Sequence, residues 1–210
     1  YDKATWSKYA SRDQTKAASL FQKIEGACND GVGEACVHLA AKAWKGEGAK
    51  RVLPLAEKGC EAGDVVGCIN AAASYREGKG PTKNPQKAFA LFERACASTD
   101  AFGKAAGCAG LGLMCANGET GPKDLKRAAQ LFGQSCDAGG WVGCLNRGVA
   151  YEKGMGVTQD KPRADQLFER AGKLGPEGLG RPFGLFEITL WSDERFTTAQ
   201  GRFNRWRLLK

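Results

Sequence analysis

The chain has 210 residues, 42% of them hydrophobic and 26% charged, with a formal net charge of +8. That balance excludes disorder throughout and supplies enough apolar material for a packed core. The sequence has no unbroken apolar stretch of about 18 residues, the length a membrane-spanning helix needs. A single histidine, His38, leaves little material for histidine-rich metal sites or several catalytic dyads, and 29 glycines suit many short elements joined by tight turns.

Nine cysteines are spaced regularly. Cys28/Cys36, Cys60/Cys68 and Cys136/Cys144 are eight residues apart, Cys96/Cys108 are twelve apart, and Cys115 is left over. Zinc sites bring two ligands together as C-x2-4-C, and no such pair occurs. The couples therefore read as local disulfides formed in an oxidising compartment, periplasmic or secreted. A secretory leader is expected to have preceded Tyr1. Each bond closes a short loop and is worth about 2–3 kcal/mol in the chain-entropy account. Cys115 reads as a small buried thiol, with an intermolecular bond as the alternative.

A second pattern runs through the chain: a basic residue, Ala or Val, two residues, then Leu. Its copies are Lys16-Ala17…Leu20, Arg51-Val52…Leu55, Lys87-Ala88…Leu91, Arg127-Ala128…Leu131 and Arg163-Ala164…Leu167. Self-similarity at about 36 residues predicts a solenoid of supersecondary units. Each unit reads as two helices. The first places Ala88, Leu91, Phe92 and Ala95 on one face, with Asn84-Pro85 and Asp160-Lys161-Pro162 as helix starts. A Gly-rich turn follows, and the second helix is predicted to begin at the second cysteine. Its fourth residue after that cysteine is always small (Ala40, Ala72, Gly112, Gly148), which permits a close helix approach. The seventh is Ala43, Tyr75, Cys115 or Tyr151, and Gly46, Gly78, Gly118 and Gly154 serve as left-handed caps.

Two stretches carry a resemblance: Cys68-Ile-Asn70-Ala-Ala72-Ala-Ser-Tyr75-Arg-Glu-Gly78-Lys-Gly80 and Cys144-Leu-Asn146-Arg-Gly148-Val-Ala-Tyr151-Glu-Lys-Gly154-Met-Gly156. Each is followed by a Lys/Arg-Ala-x-x-Leu helix. They resemble the Sel-1-like repeat, a cousin of the tetratricopeptide repeat, and especially its cysteine-rich bacterial (Hcp-type) members. The resemblance spans about residues 16–172, with 1–15 as a lead-in and 173–210 as a tail. It implies an all-α, right-handed superhelix of αα-hairpins, each stapled by one disulfide, that binds proteins or peptides. Copy one departs by three extra residues before Cys28, copy three by four extra residues in the Ser98–Phe102 loop, and copy five has no cysteine and reads as a terminal cap.

Enzyme motifs are absent: no Ser-x-x-Lys, Lys-Thr-Gly or Ser-Asp-Asn of serine β-lactamases, no His-Glu-x-x-His, and no phosphate or calcium loop. His38 occupies the slot of Asn70 and Asn146, where hydrogen bonding within the fold is the simpler role. No cofactor or metal is expected. The tail reads differently. Phe186–Leu190 and Arg195–Thr198 are candidate strands, residues 173–210 hold seven basic against four acidic residues, and Arg202, Phe203, Arg205, Trp206 and Arg207 interleave cations with aromatics. It is expected to cap the solenoid end or to meet an acidic partner surface; nucleic acid is disfavoured by the compartment.

The function expected is a non-enzymatic adaptor of the bacterial envelope or secreted space, with a peptide or protein segment held on its concave face by Asn70, Tyr75, Asn146, Tyr151 and Trp44. The competing role for the two tyrosines is packing between repeats. Alternatives are a β-lactam- or peptidoglycan-binding protein or weak hydrolase, carried by family resemblance alone, and a structural part of an envelope motility or secretion assembly.

Overall fold

A computed structural model describes residues 22–44, 49–78 and 83–174. Among them every regular element is a helix: α1 (described over 22–29), α2 (Gly33–Trp44), α3 (Ala49–Glu61), α4 (Val65–Glu77), α5 (Pro85–Cys96), α6 (Ala101–Asn117), α7 (Leu125–Asp137), α8 (Trp141–Lys153) and α9 (Lys161–Leu174). Each packs on its neighbours in sequence, so consecutive antiparallel helices build a right-handed α/α superhelix. The even-numbered helices also touch their next-but-one neighbours, α2 on α4, α4 on α6 and α6 on α8, whereas the odd-numbered helices scarcely meet. The even helices are thus the inner row of the coil. The candidate strands of the tail lie outside the described residues.

Helix starts follow local chemistry. Asn84 accepts from the Lys87 amide (3.0 Å), Asp124 from Arg127 (2.9 Å) and Asp160 from Arg163 (3.0 Å), each satisfying a first-turn donor that has no intrahelical partner. Gly78, Gly118 and Gly154 end α4, α6 and α8 at φ of 72°, 68° and 68°, a conformation that a side chain resists. The inner helices begin earlier than the second cysteine, at Val65, Ala101 and Trp141. The extra residues of copy three are not all loop: Asp100 caps Gly103 (2.7 Å), and Ala101 and Phe102 form the first turn of a 17-residue α6.

Four disulfides, Cys28–Cys36, Cys60–Cys68, Cys96–Cys108 and Cys136–Cys144, join the ends of α1, α3, α5 and α7 to the even helix after each, with Cα separations of 4.7, 4.4, 4.5 and 4.4 Å. At the last three crossings the backbones leave no room beside the second cysteine, while at the first, the widest, Ala35 fits before Cys36. A Cβ on Gly67 would lie 2.5 Å from the Cys60 nitrogen, and one on Gly107 would lie 2.4 Å from that of Cys96. Glycine precedes the cysteine at Gly67, Gly107 and Gly143 because the crossing demands it.

Between crossings the layers interlock through phenylalanine. Phe92 and Phe132 are fully buried. A Cβ on Gly112 would approach Phe132 Cε1 to 2.7 Å, and one on Gly148 would approach Phe168 Cε1 to 2.6 Å. Gly112 and Gly148, each four residues after its cysteine, therefore seat the aromatic of the next outer helix, whereas α3, which follows Ala40, has no aromatic to seat. One ion pair ties successive inner helices: Arg76 at the end of α4 donates through Nη2 (2.7 Å) and Nε (2.9 Å) to the Glu119 carboxylate, which Asn117 also contacts at 3.0 Å. Burial pushes the Glu119 carboxyl up, but these donors, with Lys83, outweigh it and hold it below its ordinary value.

Two predictions follow from these contacts. Gly112→Val should destabilise the protein by about 1–3 kcal/mol in denaturant unfolding, because Phe132 has nowhere to move; a variant as stable as the parent would contradict the interlock. The Glu119 carboxylate is stabilised in the fold, so its contribution is complete above the usual carboxylate range and is lost as pH falls through the lowered value. Acid titration of stability should show this loss in the parent and not in Glu119→Gln, which should also be the less stable protein at neutral pH.

Candidate functional site

The inner row carries an apolar groove of 370 Å³ between the N-terminal turns of α6 and α8. Phe102, Ala106 and Ala109 of α6 form one wall, and Trp141 and Val142 of α8 form the other. Residues 138–140 of the α7–α8 turn close one end, Leu174 at the end of α9 borders the groove, and among the described residues Asp100 is the only charged one in its lining. The volume lies within the range of ligand pockets, and such pockets are typically apolar with few polar groups. A second hollow of 390 Å³ is lined by Glu152, Lys153, Gln159, Lys161, Ala164 and Asp165. Its polar groups already engage one another, Lys153 with Glu152 at 3.9 Å and Gln159 Nε2 donating to the Glu152 carbonyl at 2.8 Å, so the apolar groove is the better candidate.

The local sequence explains the groove. Without its extra turn α6 would begin after Phe102, and the wall would be missing. Gly139, at φ 87°, turns the chain so that Trp141 opens α8 directly opposite. Ser135 Oγ donates to the Ala105 carbonyl at 2.6 Å and so fixes α7 against α6 beneath the groove floor.

The expected contact residues lie elsewhere. Asn70 and Asn146 are 3% and 0% exposed. Asn146 Nδ2 donates to the Val142 carbonyl at 3.0 Å, while the Asn70 amide makes no hydrogen bond. Tyr75 is buried too: its hydroxyl donates to the Glu57 carboxylate and accepts from Lys87 Nζ at 3.2 Å, with the ammonium 5.0 Å from the ring centre. As placed, these three side chains pack between helices and present no surface to a partner. Tyr151 is half-buried beneath Arg163, 4.7 Å from its ring centre. The backbone of Trp44 ends α2, and its side chain is outside the described residues, as are Arg202, Phe203, Arg205, Trp206 and Arg207.

The chemistry of these groups is quiet. The hydrogen bond to Glu57 and burial raise the Tyr75 pKa, and contact with Tyr75 raises that of Lys87, so the phenol keeps its proton and the amine its charge at neutral pH. Cys115 holds the slot of Tyr75 and Tyr151, and it is the free cysteine. Burial pushes its thiol up, with Asp124 and Glu93 adding to the rise and Arg127 opposing it. No group of three potential metal ligands occurs among the described residues.

Phe102, Trp141, Val142 and Leu174 escaped the sequence reading. Their local sequence reads as connection: Phe102 falls in the insertion of copy three, and Trp141-Val142 lies between the paired Cys136 and Cys144. An insertion in one repeat of an otherwise regular array marks where a repeat face has been modified.

The Sel1 repeat pattern matches residues 7–24, 65–100, 105–140 and 141–176. The last three matches are α4–α5, α6–α7 and α8–α9, so in this register the last three disulfides tie each repeat to the one before it rather than closing a hairpin within one repeat. A protective antigen of uropathogenic Escherichia coli with an SLR fold is 19% identical, covers 74% of this chain and 33% of that one, and superposes with a TM-score of 0.65. A Sel1 repeat protein of Klebsiella pneumoniae is 24% identical over 94% of this chain and 86% of its own, with a TM-score of 0.53. Cytochrome c oxidase assembly factor 7A of Xenopus laevis is 35% identical over 88 residues, 40% of this chain. The match spans 37% of that relative's length. Proteins of Sel1 repeats are generally non-enzymatic protein-interaction scaffolds. Repeat period, staples and helix register agree, and the chain belongs to the Sel1 repeat family as a cysteine-rich member.

Proposed function

We propose that this protein is a non-enzymatic adaptor of the bacterial envelope or secreted space that holds an apolar segment of another protein on its concave face, in the groove between α6 and α8. The carrying observation is that groove: an apolar hollow of 370 Å³ on the inner row, walled by Phe102 and Trp141 with one charged residue at its rim. Large aromatic side chains in a desolvated hollow are the usual anchors of protein recognition. The four disulfides support an oxidising location, where such bonds persist. The 88-residue likeness to a cytochrome c oxidase assembly factor fits a role among protein partners. The arginines of the tail, Arg202, Arg205 and Arg207, are suited to an acidic surface on the partner.

Peptide display on the immobilised, oxidised full-length protein tests this reading. Selected peptides should share bulky apolar residues and should bind Ala106→Asp at least tenfold more weakly, with its helicity and melting intact. Enrichment of no sequence, or binding indifferent to Ala106→Asp, would overturn it.

A further inference from the structure

We propose that the groove between α6 and α8 is built to take a segment of this same chain, residues 182–191, so that partner binding competes with an internal ligand. The inference rests on the groove as the binding site and names its resident occupant.

Position is the first argument. The chain leaves α9 at Leu174, and Leu174 itself borders the groove. Residues 175–181 intervene before Pro182, a tether that spans about 25 Å when extended at roughly 3.3–3.6 Å per residue. That is ample to turn back over a groove beginning at the tether's own root. A segment so tethered is presented at an effective concentration in roughly the millimolar range.

Composition is the second. Pro182-Phe-Gly-Leu-Phe-Glu-Ile-Thr-Leu-Trp191 places Phe183, Leu185, Phe186, Ile188, Leu190 and Trp191 within ten residues, with one charge, Glu187. No comparably apolar ten-residue stretch lies elsewhere beyond α9. Exposed together these side chains would form a patch of the kind that soluble surfaces avoid. The groove offers the matching surface in Phe102, Ala106, Ala109, Trp141 and Val142.

Charge is the third. Asp100 is the one charged residue of the lining among the described residues, and Arg181 stands immediately before the apolar run. Docked from Pro182 onward, the segment brings a cation to that rim.

The test uses the full-length, oxidised protein and a dye-labelled synthetic peptide of residues 181–192. Phe183→Ser/Phe186→Ser in the full chain should weaken the internal ligand. If the segment fills the groove nine-tenths of the time, the peptide should bind this variant about tenfold more tightly than the parent. Ala106→Asp should remove that binding. A photoreactive residue at position 106 should cross-link within the chain to residues 182–191, identified by mass spectrometry on the monomer. Equal peptide affinity for parent and variant, or cross-links from position 106 only to other segments, would overturn the internal ligand and leave the groove reading intact. Display-selected peptides that bind while the 181–192 peptide does not would do the same. Failure of every peptide, with Ala106→Asp without effect, would overturn both.

Discussion

The backbone crossing at each cysteine pair is the constraint on which the rest of this structure depends. Where α3 meets α4, α5 meets α6 and α7 meets α8, Cα atoms of paired cysteines stand 4.4–4.5 Å apart. Glycine before the second cysteine makes that approach possible, since any Cβ there would collide with the backbone opposite. Once the crossing is set, the helix pair has one angle and one register. At Gly112 and Gly148, four positions on, the residue then has to be small, because Phe132 and Phe168 of the following helices arrive there. Covalent staple and glycine crossing recur at α3–α4, α5–α6 and α7–α8, and the last two of these inner helices add a phenylalanine seat at Gly112 and Gly148. Together these let short helices rich in alanine and glycine, which bury modest apolar area each, stack as a defined coil.

A regular device builds a regular surface, and specificity has to come from departures. Copy three is where this chain departs most. Four extra residues become an added turn of α6 capped by Asp100, and that turn carries Phe102 to a place where the other inner helices have nothing comparable. The same copy replaces the tyrosine of its neighbours with Cys115, and its Arg127 lies over Phe89, whereas Lys87 and Arg163 cover Tyr75 and Tyr151. Both changes leave the staples untouched. The array therefore keeps its geometry while one face gains an aromatic-walled groove.

Much of the fold was legible because it rests on local rules. The period of the basic-Ala-x-x-Leu pattern, the eight-residue cysteine couples, the capping Asn84, Asp124 and Asp160 and the terminal Gly78, Gly118 and Gly154 each encode structure within a few residues of themselves. The candidate site was less legible because it is assembled from three places: the insertion before Cys108, the turn before Cys144 and the end of α9. Nothing in the local pattern distinguishes Trp141 in a turn from Trp141 at the mouth of a groove. Asn70, Asn146 and Tyr75 are set by layer spacing rather than by local pattern. Polar and aromatic residues recurring at one slot look like a binding stripe, yet the close layer spacing buries them, and Tyr75 finds Glu57 and Lys87 inside the chain.

The most direct measurement of the central claim is thermal unfolding of the intact protein, followed by far-ultraviolet circular dichroism with and without full reduction of its disulfides. If the stapled crossings carry the coil, reduction should lower the melting midpoint by well over ten degrees while the cold protein keeps a helical spectrum, since the loss of several bonds worth about 2–3 kcal/mol each far exceeds what glycine packing alone restores. An unchanged midpoint after verified reduction would contradict the account, and would show that helix packing alone determines the crossings.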